Sequence, residues 1–156
     1  VSAEGLSRRL VAHGFGSGSR VGEAVRRLSF STVRGYMRGF IDLIFETGGR
    51  FYILDYKSNW LGLRAEDYEG EHLDRAMARE GYFLQYLLYT LALHRYLRHR
   101  LPDYDYDRHF GAVFYLFLRG MDPVSGARRG VYRDRPAKAL IEELDAYLDD
   151  TGQPPT

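Results

Sequence analysis

Cysteine is absent from this 156-residue chain. That excludes a disulfide scaffold, cysteine-held zinc or iron–sulfur sites, and a cysteine nucleophile, and it fits a cytoplasmic location. No apolar run approaches the roughly 18 residues of a membrane span, and residues 1–20 do not form a secretory signal, so no membrane partner is expected. Charge of one sign is also lacking: 22 basic residues face 21 acidic ones, and no global basic field advertises nucleic acid. Lysine is scarce, since Lys57 and Lys138 stand alone among arginines. No Gly-Lys pair occurs, so the glycine run at 14–19 is a flexible connector and not a phosphate loop.

What remains is the composition of a globular domain, 45% apolar and 28% charged, at a length suited to one domain over residues 1–156. Leu6, Leu10 and Val11 sit at helical spacing in a weakly patterned start over residues 1–30. Residues 35–45 and 50–57 are rich in β-branched and aromatic side chains around Thr47-Gly48-Gly49, which predicts a β-hairpin. Pairing Thr47 with Arg50 sets the register, so that Ile44 faces Ile53 and Asp42 faces Asp55. Residues 61–71 read as a loop. Helices are expected over 71–79, over 82–99 and from about 136 to 149, with a strand buried on both faces over 110–118. A Gly/Pro/Arg loop spans 120–130, and residues 150–156 are a frayed tail. The order suggests an α/β fold with a mixed β-sheet and flanking helices.

The hairpin register carries chemistry. Directly opposed carboxylates repel unless a cation lies between them. Asp42 and Asp55 are flanked by Ile41, Leu43, Ile53 and Leu54, which should limit screening by water. A hard divalent ion resolves the repulsion, and Mg2+ is held by one or two carboxylates together with substrate phosphate. Lys57 shares the face of Asp55, where an ammonium orients a water or stabilises phosphate charge. An Asp-x-Lys triplet alone is usually a surface ion pair; the opposed Asp42 within an apolar strand argues for a site.

On the long helix, Tyr82, Gln85 and Tyr89 share a face. The tyrosines read most simply as core, whereas Gln85 needs a buried partner or faces a site. Arg95, Arg98, His99 and Arg100 could meet phosphates or simply form a solvated helix end. Arg128, Arg129, Arg133 and Arg135 carry the same ambiguity. His94 and His109 read as structural, and Trp60 as packing beneath a loop. No Ser/His/Asp nucleophile set is evident.

Gly39-Phe40-Ile41-Asp42-Leu43-Ile44 and Leu54-Asp55-Tyr56-Lys57-Ser58-Asn59-Trp60-Leu61-Gly62 resemble the RecB-type nuclease domain of bacterial exonuclease V. The run from Leu84-Gln85-Tyr86 to Arg98-His99-Arg100, and Phe114-Tyr115-Leu116-Phe117-Leu118-Arg119-Gly120, extend the resemblance, which covers residues 28–148. It implies a restriction-endonuclease-like PD-(D/E)xK core, over about 31–149. It further implies Mg2+ on Asp42, Asp55 and the Tyr56 backbone carbonyl, with Lys57 as catalytic lysine. Gln85 and Tyr89 would form a Q-x-x-x-Y motif beside DNA; Tyr82 and Arg95, read from the same helix, are further candidate DNA contacts. The implied activity is hydrolysis of DNA phosphodiesters in repair and recombination, with RecC, RecD and RecA as partners. The family's upstream histidine and acidic residue have no match, since His13 and Glu23 lie in different contexts. The chain therefore reads as a shortened piece, with a docking module for RecA or helicase subunits as the alternative. Cas4-like members are disfavoured because they use a cysteine-held cluster.

Overall fold

Two serine-capped helices open the chain in a computed structural model that describes residues 1–33, 35 and 38–152. Ser2 Oγ accepts from Gly5 N ahead of α1 (Ala3–Ala12), and Ser19 Oγ from Gly22 N ahead of α2 (Arg20–Arg26); such caps satisfy N–H groups left open in a first helical turn. The glycine run between them is a connector, as the sequence suggests.

The hairpin forms in the expected register. β1 (Leu43–Thr47) and β2 (Arg50–Lys57) pair antiparallel from Thr47↔Arg50 to Leu43↔Leu54. Gly48 and Gly49, at φ 59° and 75°, supply the left-handed turn that L side chains resist. The first strand is much shorter than the sequence suggests. Its predicted residues Tyr36 and Met37 lie outside the described residues, and 38–42 are not ladder-paired. Asp42 ends the ladder: its Oδ2 accepts from Tyr56 N at 2.9 Å, engaging a donor that a longer strand would pair with backbone. β1 is also an edge strand, and Leu43 and Ile44 are 40% and 42% exposed. The apolar flank expected to shield Asp42 from water is therefore open on that side.

A crossover containing α3 (Gly70–Arg79), the 19-residue α4 (Tyr82–Arg100) and the single-turn α5 (Tyr106–His109) leads to β3 (Phe110–Phe117). β3 runs parallel to β2, and a crossover is what parallel pairing requires. β4 (Val131–Asp134) adds antiparallel to β3, giving the mixed sheet order β1-β2-β3-β4. Four residues are too short to announce β4 by alternation, and the open edge of β3 recruits them. The last helix, α6 (Lys138–Gly152), starts two residues after Pro136, where the sequence places its beginning.

α4 buries Phe83, Tyr86, Leu87, Leu91 and Leu97, on the 3.6-residue rhythm of an apolar helix face. These join Ile53, Val113, Tyr115 and Phe117 of the sheet and Leu140 and Ile141 of α6 in one core cluster. β3 is buried nearly throughout, as an inner strand should be. His94 is structural: it is buried, its Nδ1 lies 3.0 Å from the Tyr104 hydroxyl, and burial is the main cause holding its pKa below the usual value.

The β2–β3 register carries an irregularity: Phe51 pairs with Phe110, but Ile53 pairs with Val113. The additional β3 residue shifts the parity of everything beyond it. Asp55 consequently lies beside Tyr115, and Lys57 beside Phe117. Gly111 sits within the irregularity, where a Cβ would come 2.2 Å from the Tyr52 ring.

Candidate active site

The site is built on the C-terminal half of β2. Asp55 and Lys57, two residues apart, project from one face, toward α4. Asp55 is 3% exposed, and its Oδ2 lies 2.5 Å from Lys57 Nζ. Asp42, one position beyond the last β1 pair, comes level with Asp55 from the open edge. Burial raises the Asp55 pKa above its usual 3.8; Lys57 opposes the rise through its hydrogen bond and charge, and Asp42 adds to it.

Lys57 is held on several sides. Nζ donates to Gln85 Oε1 at 3.0 Å and lies 4.0 Å and 4.9 Å from the Tyr82 and Tyr115 ring centroids. Gln85 Oε1 also accepts from the Tyr115 hydroxyl at 2.9 Å, and Gln85 Nε2 donates to the Tyr89 oxygen at 3.0 Å. The Tyr89 hydroxyl in turn donates to the Phe40 carbonyl at 2.5 Å, two residues before Asp42. A continuous polar chain thus links the lysine to the segment bearing the exposed carboxylate. Tyr82 anchors the loop after β2, its hydroxyl donating to Asn59 Oδ1 at 3.1 Å.

For a divalent cation the donors fit in kind. Asp42 Oδ2 is taken by Tyr56 N and Asp55 Oδ2 by Lys57, while neither Oδ1 has a protein hydrogen-bond partner among the described residues. Two carboxylates suffice for Mg2+, which keeps waters and substrate oxygens in its shell. Among the described residues no third histidine or carboxylate joins them.

An acid just before a strand, Asp-x-Lys on the neighbouring strand and a helix carrying Gln85 and Tyr89 make up this arrangement. The sequence matches the PD-(D/E)XK nuclease superfamily over residues 3–153. The chain belongs to that superfamily. Its mixed four-stranded sheet with flanking helices is the restriction-endonuclease-like PD-(D/E)XK fold. The chain is 55% identical over 118 residues to the RecBCD enzyme subunit RecB of Escherichia coli, covering 76% of this chain and 10% of that protein. The same subunit of Haemophilus influenzae is 52% identical over 121 residues, covering 78% and 10%, and that of Buchnera aphidicola (subsp. Acyrthosiphon pisum) 42% over 117 residues, covering 75% and 10%. The chain thus spans about a tenth of the length of the curated relatives it matches.

Asp42, Asp55, Lys57, Tyr82, Gln85 and Tyr89 are brought together, with the Tyr56 backbone N–H bonded to Asp42. Arg95 is not. It lies ten residues beyond Gln85, about 15 Å along the helix axis, and is engaged by α6. Its guanidinium donates to Asp145 Oδ1 and the Asp145 carbonyl, and to Asp149 Oδ1 at 2.7 Å. Trp60 also departs from expectation: it is 62% exposed, not packed beneath a loop.

Sequence reading missed Tyr115. Its hydroxyl inside an otherwise apolar run was the available signal, because a buried phenol needs a partner. Which partner it finds depends on the parallel register, which no turn specifies.

Proposed function

We propose that this chain hydrolyses DNA phosphodiester bonds with Mg2+, as the nuclease unit of a RecB-type subunit in double-strand-break repair and recombination. The observation that carries this reading is Lys57, set between Asp55 and Gln85 with Asp42 alongside. An ammonium has three donors. One faces Asp55 and one faces Gln85, which leaves the third for a phosphate oxygen or an attacking water. The two tyrosine rings and the Gln85 carbonyl fix that direction before substrate arrives, so little reorganisation is needed during reaction. Asp42 and Asp55, with the Tyr56 carbonyl, would hold Mg2+. When bound, the ion supplies Lewis-acid stabilisation of phosphate charge and lowers the pKa of a water. Gln85, Tyr89 and Tyr82 line the DNA side in this reading. RecC-type and RecD-type subunits are the proposed partners, by likeness to RecBCD subunits.

The test is cleavage of single-stranded DNA in Mg2+ by the parent chain, Asp55→Ala and Lys57→Ala. Loss of cleavage by at least about two orders of magnitude in both variants is expected, as for removal of a charge-stabilising donor. Cleavage retained in both overturns the assignment.

The alternative is a nuclease fold retained for docking to helicase subunits or RecA. That reading predicts no cleavage by the parent chain and measurable binding to such partners.

A further inference from the structure

A cleft of about 440 Å³ is formed by the segments that follow β2 and β3, at the end of the sheet where both strands terminate. Parallel pairing brings the segments after Lys57 and after Phe117 together there. Tyr68, 4% exposed, forms the floor, and its hydroxyl oxygen accepts from Leu61 N at 3.1 Å. Gly120 lies against Tyr68 so closely that a Cβ would come 2.3 Å from the Tyr68 Cβ. The walls are therefore packed backbone and not a loose loop.

The rim has two notable side chains. Trp60, three residues beyond Lys57, turns its indole toward solvent. Arg119 donates from Nε to the Ser58 carbonyl at 2.9 Å, and no carboxylate pairs with it among the described residues. By contrast Arg64 pairs with Asp67, and Arg129 with Glu69 and Asp122. With Arg64 and Arg129 paired, Arg119 is the lining cation left to meet an anionic ligand. An exposed aromatic beside an uncompensated guanidinium is the combination that holds single-stranded nucleic acid, one stacking on bases and the other meeting the backbone. Arg119 is fastened to the residue after Lys57, so the rim of the cleft is tied to the end of the strand that carries Asp55 and Lys57.

We propose that this cleft is a subsite for single-stranded DNA next to the scissile position, with Trp60 as base-stacking face and Arg119 as phosphate contact. It rests on the nuclease reading above but has its own readout. Trp60 is the chain's only tryptophan, so intrinsic emission reports this site alone.

The experiment titrates the parent chain with a twelve-residue oligothymidylate in EDTA. Tryptophan emission and the anisotropy of an end-labelled oligonucleotide are followed together. Saturable quenching that tracks anisotropy is expected. Trp60→Ala should raise Kd roughly 5- to 150-fold, while Trp60→Phe, which keeps a stacking ring, should raise it only a few-fold. Arg119→Ala should weaken binding and reduce the slope of log affinity against log salt by about 0.7, the loss of one phosphate contact. Thermal unfolding confirms that the variants fold, as the exposure of both side chains leads one to expect. Binding with unmoved emission and unchanged affinity in Trp60→Ala and Arg119→Ala overturns the subsite. So does absence of binding, or emission that shifts with protein concentration alone, which would place a second copy in the cleft. Quenching without cleavage in Mg2+ supports the subsite and overturns only the nuclease reading.

Discussion

The amide of Gln85 on α4 holds the ammonium of Lys57 on β2, Nζ donating to Oε1 across 3.0 Å. The same oxygen accepts from Tyr115, so one half-buried acceptor orders a strand lysine and a neighbouring strand's phenol together. Gln85→Leu would leave both donors short of a partner. A buried unmet donor costs about 1–3 kcal/mol, so urea unfolding should show a loss of at least that size. Cleavage of single-stranded DNA should fall more than tenfold, because Lys57 would lose its orientation.

Asp55 titrates above the usual carboxylate value because burial and the Asp42 charge outweigh Lys57. Since the folded-state pKa exceeds the unfolded one, ionising Asp55 reduces stability as pH rises through that interval. Asp42→Asn should move the Asp55 pKa down and Lys57→Met should move it up, read by carboxyl-carbon NMR of the metal-free protein. In cleavage assays the acid limb should shift to lower pH as Mg2+ is raised, because the ion competes with the proton.

Tyr89 ties α4 to the segment carrying Asp42 through the Phe40 carbonyl. Gly39 stands against the same ring, where a Cβ would come 3.1 Å from Tyr89 Cε1. Tyr89→Phe removes one hydrogen bond worth about 0.5–1.5 kcal/mol. Its expected signature is a higher Mg2+ concentration for half-maximal cleavage, with a smaller change in the rate at saturating Mg2+. Gly39→Ala should act in the same direction by pushing the segment off the ring.

Arg95 and Arg98 both pair with Asp145, joining α4 to α6. Burial alone would raise the Asp145 pKa, but these hydrogen bonds and charges outweigh it and hold the carboxyl below its usual 3.8. The stability this supplies is full above the ordinary carboxylate range and fades as pH falls through the lowered pKa. Arg95→Ala should lower stability at pH 7 by about 1 kcal/mol, given its partial exposure. Chemical unfolding curves at pH 7 and pH 3 should show the gap between variant and parent narrowing at the acid end.

The hairpin register was legible because a two-residue Gly-Gly turn leaves few ways to pair its strands. From it followed the level placement of Asp42 with Asp55 and the shared face of Asp55 and Lys57. Helical periodicity likewise placed Tyr82, Gln85 and Tyr89 on one side of α4. These are local relations, set by a turn and by two periodicities. Tyr115, Arg95, Trp60 and β4 depended on contacts distant along the chain. The parity shift at Gly111 put Tyr115 rather than a neighbour opposite Asp55, and a parallel pair has no turn to declare it. Arg95 belongs to α6 because packing brought Asp145 within reach, and Trp60 is exposed because no element among the described residues covers it. Local geometry encoded the carboxylate pair and its lysine; only the tertiary structure decided what holds the lysine still, because those partners come from elements that meet through long-range packing.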